Sequence, residues 1–288
     1  MQVELCYLKI QVNQFGVEMG KRKTMGVCPM CAYSSDTDEK ELRDSHIVPR
    51  SVFRTQYRAN GTKLQNRLIE MSSEAESPLH LTQDQGKEPM LCFECEQRLS
   101  REIERPAQEW SRTKIVGHSV EVDSILLARY VTSVWWRAML SKHRYYEHIA
   151  FDHELIRPVI QASLEPQATL KNVSFRLRKL QDSSGGFGVT ARKQYQATVA
   201  NHLPDEKLVR GHACFALIHE GLVWEAFSPR LSRSSMDKLH CFKANRSRYV
   251  LRGDDFCQNP ILMQHAVLQL SKHREGNATP TFRKFSSG

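Results

Sequence analysis

Two tight cysteine pairs, Cys28-Pro-Met-Cys31 and Cys92-Phe-Glu-Cys95, hold four of the eight cysteines in this 288-residue chain. A gap of two residues lets two thiolates on one turn reach the same ion, and zinc takes four such ligands in a tetrahedron. The two pairs together therefore make a complete set for one structural Zn²⁺. A closed site of four cysteines has no position open to a substrate, so it would staple the chain and do no chemistry. Buried free thiols and a redox pair are the competing readings. Cys6, Cys214, Cys241 and Cys257 stand singly and read as core residues. The 60 residues between Cys31 and Cys92 exceed ordinary finger spacing. The insert must be a folded excursion whose ends the metal joins, not a simple DNA-reading finger.

If the zinc is structural, catalysis has to come from the excursion. It carries Asp44-Ser-His-Ile-Val-Pro-Arg50 and closes on Met90-Leu-Cys-Phe-Glu-Cys-Glu-Gln-Arg-Leu-Ser100. This combination resembles the zinc-stapled branch of the HNH endonucleases, in which a His-Ile-x-Pro segment between two CxxC pairs leads to a helix beginning at the last Cys. The match runs from about Cys28 to Ile103, roughly a quarter of the chain. Farther on, Ser133-Val-Trp-Trp-Arg-Ala138 looks like the Ser-x-x-Trp-Arg motif of a bacterial HNH-like subfamily.

The resemblance implies a ββα-metal unit that hydrolyses phosphodiester bonds of DNA, with His46 as general base. In such a reaction the base deprotonates the attacking water and a divalent cation, Mg²⁺ or Mn²⁺, neutralises charge on the phosphate. A neutral imidazole near pH 7 suits the first task, whereas a structural imidazole bonded to backbone is the other reading of His46. The cation-ligand positions depart from the family pattern. Ser45 stands where most members have Asp, Glu96 where a His follows the last Cys, and Gln83-Asp-Gln-Gly-Lys-Glu88 where an Asn is usual. Glu96 is the leading substitute ligand, then Asp84, then Asp44, which neighbours Ser45 on a strand and so points to the opposite face. A carboxylate in the first helical turn is also favourable with no metal at all. Arg43, Arg50, Arg54 and Arg58 surround His46, and Lys87 precedes the second pair. They suit phosphate gripping, although a solvated face is the commoner use of such residues.

The elements that would position these residues belong to an α+β chain, a zinc-stapled HNH-like domain over 1–110 followed by a helical and mixed region over 111–288. Val3, Leu5 and Tyr7 alternate with polar residues as in a strand, and Gly20–Gly26 reads as a loop leading into the first pair. From Cys28 to Cys95 the sequence is polar and turn-rich, with few residues for a core. Leu99 and Ile103 mark a helix that Pro106 limits or kinks. Asp123-Ser124 can cap a longer helix through Leu127, Val131, Val134, Trp135 and Ala138, with both Trp135 and Trp136 in the core. A further helix is expected over Asp152–Leu164, bent at Pro158. Val173, Phe175 and Leu177 alternate ahead of Asp182-Ser-Ser-Gly-Gly186, which suggests a hairpin, and a second hairpin pairs Ala213–Ile218 with Leu222–Phe227.

Lys and Arg number 41 against 32 Asp and Glu, for a net charge of +9. Seven of those nine charges fall in Ser228–Gly288, where 11 basic residues meet 4 acidic ones. The balance favours an anionic partner, nucleic acid foremost, without locating a site. A charged fraction of 25% and the lack of a long apolar run disfavour a membrane protein. The N-terminus has no unbroken apolar stretch of the kind a secretory signal needs, and paired thiols suit a reducing, cytoplasmic setting. There is no GxGxxG, no P-loop and no HExxH, and His143, His148 and His153 are five apart, not the four that aligns ligands on a helix. A silent zinc-containing protein that binds nucleic acid or another partner is the alternative to the nuclease. Oligomeric state stays open, a homodimer included.

Overall fold

The computed structural model describes residues 23–32, 35–50, 68–70, 80–82, 86–113, 119–121, 123–142, 146, 173–181, 200–202, 212–219, 221–243 and 248–255. The expected strand at Val3–Tyr7 and the expected helix at Asp152–Leu164 lie outside these residues, as do Cys6 and Cys257.

Strands β1 (Thr24–Val27), β2 (Glu39–His46) and β5 (Lys87–Cys92) form an antiparallel sheet with β2 in the middle. The end of the segment expected to be a loop is thus an edge strand: Thr24 to Val27 pair with Leu42 to Glu39, satisfying amides that a loop would leave to water. Between β1 and β2 the short helix α1 (Pro29–Ala32) presents the first cysteine pair. The excursion also contains a small ladder, β3 (Leu68–Glu70) with β4 (His80–Thr82). Its polar composition understates its core, because Ile47, Val48, Met90 and Leu91 are all buried.

The β2–β5 register shifts between Arg43 and Asp44. Such an irregularity re-aims the residues beyond it: Ser45 is fully buried whereas the Asp44 side chain is half exposed. The pairing runs on past His46, where the Ile47 amide donates to the Gly86 carbonyl at 3.1 Å. Gly86 has φ +61°, and a Cβ there would lie 2.8 Å from the Tyr146 ring.

Cys92 ends β5 and directly precedes α2 (Phe93–Leu99). The expectation that Pro106 limits or kinks this helix needs correction in detail. The chain stays helical through a widened π turn, Ser100–Glu104, into α3 (Arg105–Thr113). A proline supplies no amide and crowds the carbonyl four residues back, and the wider turn immediately before it relieves both constraints. The Arg105 amide accordingly donates to Ser100, five residues back. Strand β6 (Ser119–Glu121) follows and later pairs with β11 (Arg248–Val250).

Helix α4 (Ser124–Leu140) begins where the sequence places it. The Asp123 carboxylate accepts from the Ile125 and Leu126 amides at 3.1 and 2.9 Å. Every residue from Tyr130 to Ala138 is buried, the signature of a helix with neighbours on all sides. One neighbour is the five-stranded sheet, in the order β12 (Arg252–Asp255), β7 (Ser174–Gln181), β10 (Leu222–Ser228), β9 (Ala213–His219), β8 (Ala200–His202). Trp135 stacks on Phe215 at 5.6 Å, and Tyr130 meets Trp224 edge-on at 5.2 Å. The hairpin Ala213–Ile218 with Leu222–Phe227 forms as expected. The other hairpin does not appear among the described residues: β7 pairs with β10 and, in parallel, with β12, and 182–199 lies outside them. Phe227, Cys214 and Cys241 pack with Leu231 and Met236, the last of these on helix α5 (Arg233–Lys238), so two of the single cysteines are indeed core. No helix among the described residues is long and apolar enough to cross a membrane.

Gly86→Ala tests the junction beyond β2. A left-handed backbone costs a non-glycine residue about 1–2 kcal/mol before the Tyr146 overlap is counted, so urea unfolding should show a loss of at least that size. An unchanged midpoint would contradict the geometry described.

Candidate functional site

The two cysteine pairs converge from α1 and from the β5–α2 junction. Their four sulfurs all lie within 4.8 Å of one another, with Cys31 Sγ 3.7 Å from Cys92 Sγ and 3.5 Å from Cys95 Sγ. Zinc–sulfur bonds of about 2.3 Å in a tetrahedron require sulfur separations of about 3.8 Å. The donor set therefore fits Zn²⁺ in chemistry, number and spacing. Cys28, Cys92 and Cys95 are buried, so the cluster is closed to a substrate.

Local electrostatics favour thiolate at one corner. A hydrogen bond from Cys95 holds Cys28 down to about 4, and backbone amides of Cys92, Cys31 and Met30 add to the effect against the cost of burial. Cys92 is pushed up to about 11, chiefly by desolvation, and Cys95 is raised by its hydrogen bond to Cys28 and by burial. Without a cation the sulfurs thus share protons; a divalent ion replaces those protons and lets all four ionise. Lys40 Nζ sits 3.4 Å from Cys31 Sγ and 2.5 Å from Asp36 Oδ2, setting a positive charge beside the sulfurs.

A second polar cluster lies at the far end of β2. Ser45 Oγ donates to Glu96 Oε2 at 2.7 Å, joining the strand to the first turns of α2. Burial pushes the Glu96 carboxyl above its ordinary range, opposed by the Arg137 guanidinium and the Ser45 hydroxyl and reinforced by Glu104. Arg137, from α4, is itself 1% exposed, lies 2.7 Å from Glu104 and donates to the His46 carbonyl at 2.8 Å.

His46 is the last residue of β2, in register with Lys87, and is partly buried. Ser45 and Glu96, two of the three positions that depart from the pattern the chain resembles, face each other, whereas Asp44 is turned away and lies 3.9 Å from Lys87. Asp84, Arg54 and Arg58 lie outside the described residues. Arg43 is exposed, packs over the Phe93 ring and pairs with Glu41 at 3.3 Å; Arg50 is exposed. Among the described residues the cysteines form the only group of three or more potential metal ligands. At the Ser45 end the described residues set one carboxylate, Glu96, against one hydroxyl, Ser45.

Sequence reasoning missed Lys40, Glu104 and Arg137 as members of the site. For Arg137 a signal existed, a lone charge inside the apolar run Val-Trp-Trp-Arg-Ala. Lys40 and Glu104 stand among other charged residues and nothing marks them. No family model, curated protein or solved structure matches the chain.

Purified protein should carry about one zinc per chain, read by atomic emission. Chelation should lower the melting temperature by roughly 10 °C or more, and Cys92→Ser should reproduce both losses. A stable, zinc-free preparation would remove the staple.

Proposed function

We propose that the chain is an HNH-type endonuclease that hydrolyses phosphodiester bonds of DNA, with His46 as the base. The reading rests above all on one juxtaposition: an antiparallel strand pair, β2 and β5, runs into α2 with His46 at the strand end and Glu96 on the helix against Ser45. One small strand–strand–helix unit thus offers an imidazole and a carboxylate, the latter directly after Cys95 of the cysteine cluster.

In this mechanism the neutral His46 imidazole takes a proton from the attacking water. Arg43, Arg50 and Lys87 offer exposed cations that hold the phosphate in register. Ser45 and Glu96 offer oxygen ligands to a Mg²⁺ or Mn²⁺ ion entering with the phosphate, which would supply charge neutralisation. The zinc staple holds the base of the unit together and takes no part in bond cleavage.

A second reading is a zinc-containing protein that binds nucleic acid without cutting it. The engagement of Glu96 by Ser45 favours this alternative. In either case the net charge of +9 suits a polyanion.

Plasmid relaxation with Mg²⁺ or Mn²⁺ separates the two. The nuclease should nick supercoiled DNA, and His46→Ala should slow nicking at least ~100-fold, the usual worth of a general base, with zinc content unchanged. Salt-sensitive retention of DNA with no cleavage would establish the second reading, and full cleavage by His46→Ala would sink the proposed role of that residue.

A further inference from the structure

Arg137 lies 91 positions along the chain from His46, inside the helix most completely buried by the core. Its guanidinium is spent in three directions. Nε donates to the Ser133 carbonyl of its own helix at 3.2 Å, Nη1 to the His46 carbonyl at 2.8 Å, and Nη2 faces Glu104 Oε1 at 2.7 Å. A planar fork of donors can meet three partners at once, which a lysine ammonium on a flexible stem cannot do with the same geometry. Two carboxylates, Glu96 and Glu104, share its field.

A separate contact ties the same end of α4 to the neighbouring strand. Glu88 Oε2, on β5, accepts from Ser141 Oγ and from the Lys142 amide, each at 3.0 Å. The end of β2 and the start of β5 are therefore both held by the last turn of α4 and the residues just after it. An ion pair serving stability alone would need only Glu104. The bond to His46 goes instead to the backbone of the residue assigned the chemistry.

We infer that Arg137 is a positioning residue for His46, fixing from the core the backbone carbonyl at the end of β2 and with it the direction in which the imidazole projects. The inference rests on the nuclease reading for its catalytic consequence, but its structural content stands apart from it. It gives the second half of the chain a part in the site, since α4 lies beyond the zinc-stapled segment. Misplacing a reacting group by about 1 Å can cost ~100-fold in rate, so a small loss of alignment has a measurable effect.

The test uses the full chain with zinc bound and compares wild type with Arg137→Lys and Arg176→Lys. Arg176 is a partly buried arginine of the five-stranded sheet, paired with Glu225. Arg137→Lys should keep its zinc, lower kcat for nicking about 10- to 100-fold with little change in KM, and displace the His46 ring resonances in heteronuclear NMR spectra. Arg176→Lys should lower the melting temperature without moving kcat or the His46 signals. Wild-type kcat in Arg137→Lys, or His46 resonances in their wild-type positions, would overturn the inference; so would an equal loss of kcat in Arg176→Lys. If Arg137→Lys does not fold, Glu104→Gln, which releases one arm of the guanidinium, decides in its place: displaced His46 resonances support positioning and unmoved ones overturn it. If wild type cuts no DNA the nuclease reading fails, and the His46 resonances alone decide for or against Arg137.

Discussion

Four sulfurs at one point tie together the two ends of the excursion. Cys28 and Cys31 lie just before and within a helix of four residues, and Cys92 and Cys95 return at the junction of a strand and a helix after 60 intervening residues. Closing a loop of that length costs chain entropy that a three-stranded sheet repays poorly. A metal centre with a large binding free energy can offset the cost, because the ligand geometry exists only in the folded chain. The same closure would bring the start of α2 beside the β2–β5 pair, whose own register sets their alignment.

Burial of α4 is the second constraint. Its aromatic residues pack on the five-stranded sheet while Arg137 and the residues after Leu140 reach the three-stranded one. An arginine in such a place is costly to desolvate and is retained only with close partners; here they are Glu104 and two backbone carbonyls. The same logic operates on the five-stranded sheet, where the Glu225 carboxylate accepts from Arg176 and Arg178 at 2.6 to 3.1 Å. The two ionic clusters differ in what they touch. One is enclosed by a sheet face and the other grips the strand end that carries His46.

Much of the framework is legible along the chain. The CxxC pairs name their own ligands, Asp123 names its helix start, and the alternation around His219-Glu-Gly221 names a hairpin. Each is a local rule: ligand spacing, capping and strand period all act within a few residues. Other features depend on more than spacing, capping or period: Thr24–Val27 is a strand because β2 lies beside it, and the helix passes Pro106 because a π turn widens immediately ahead of it. The described neighbours of β7 are β10 and β12, the second of which arrives more than 70 residues later in the sequence.

For the site the division is the same. From the sequence alone come the four cysteines as one ligand set, His46 as the residue of interest between them, and the prediction that Asp44 and Ser45 face opposite ways. Those conclusions need only residue chemistry and the two-residue period of a strand. Only the tertiary structure sets Glu96 against Ser45 and carries the guanidinium of Arg137 to the carbonyl of His46. Hydrogen bonds between groups 51 and 91 positions apart depend on how helices and sheets pack, and no local pattern of residues encodes that packing.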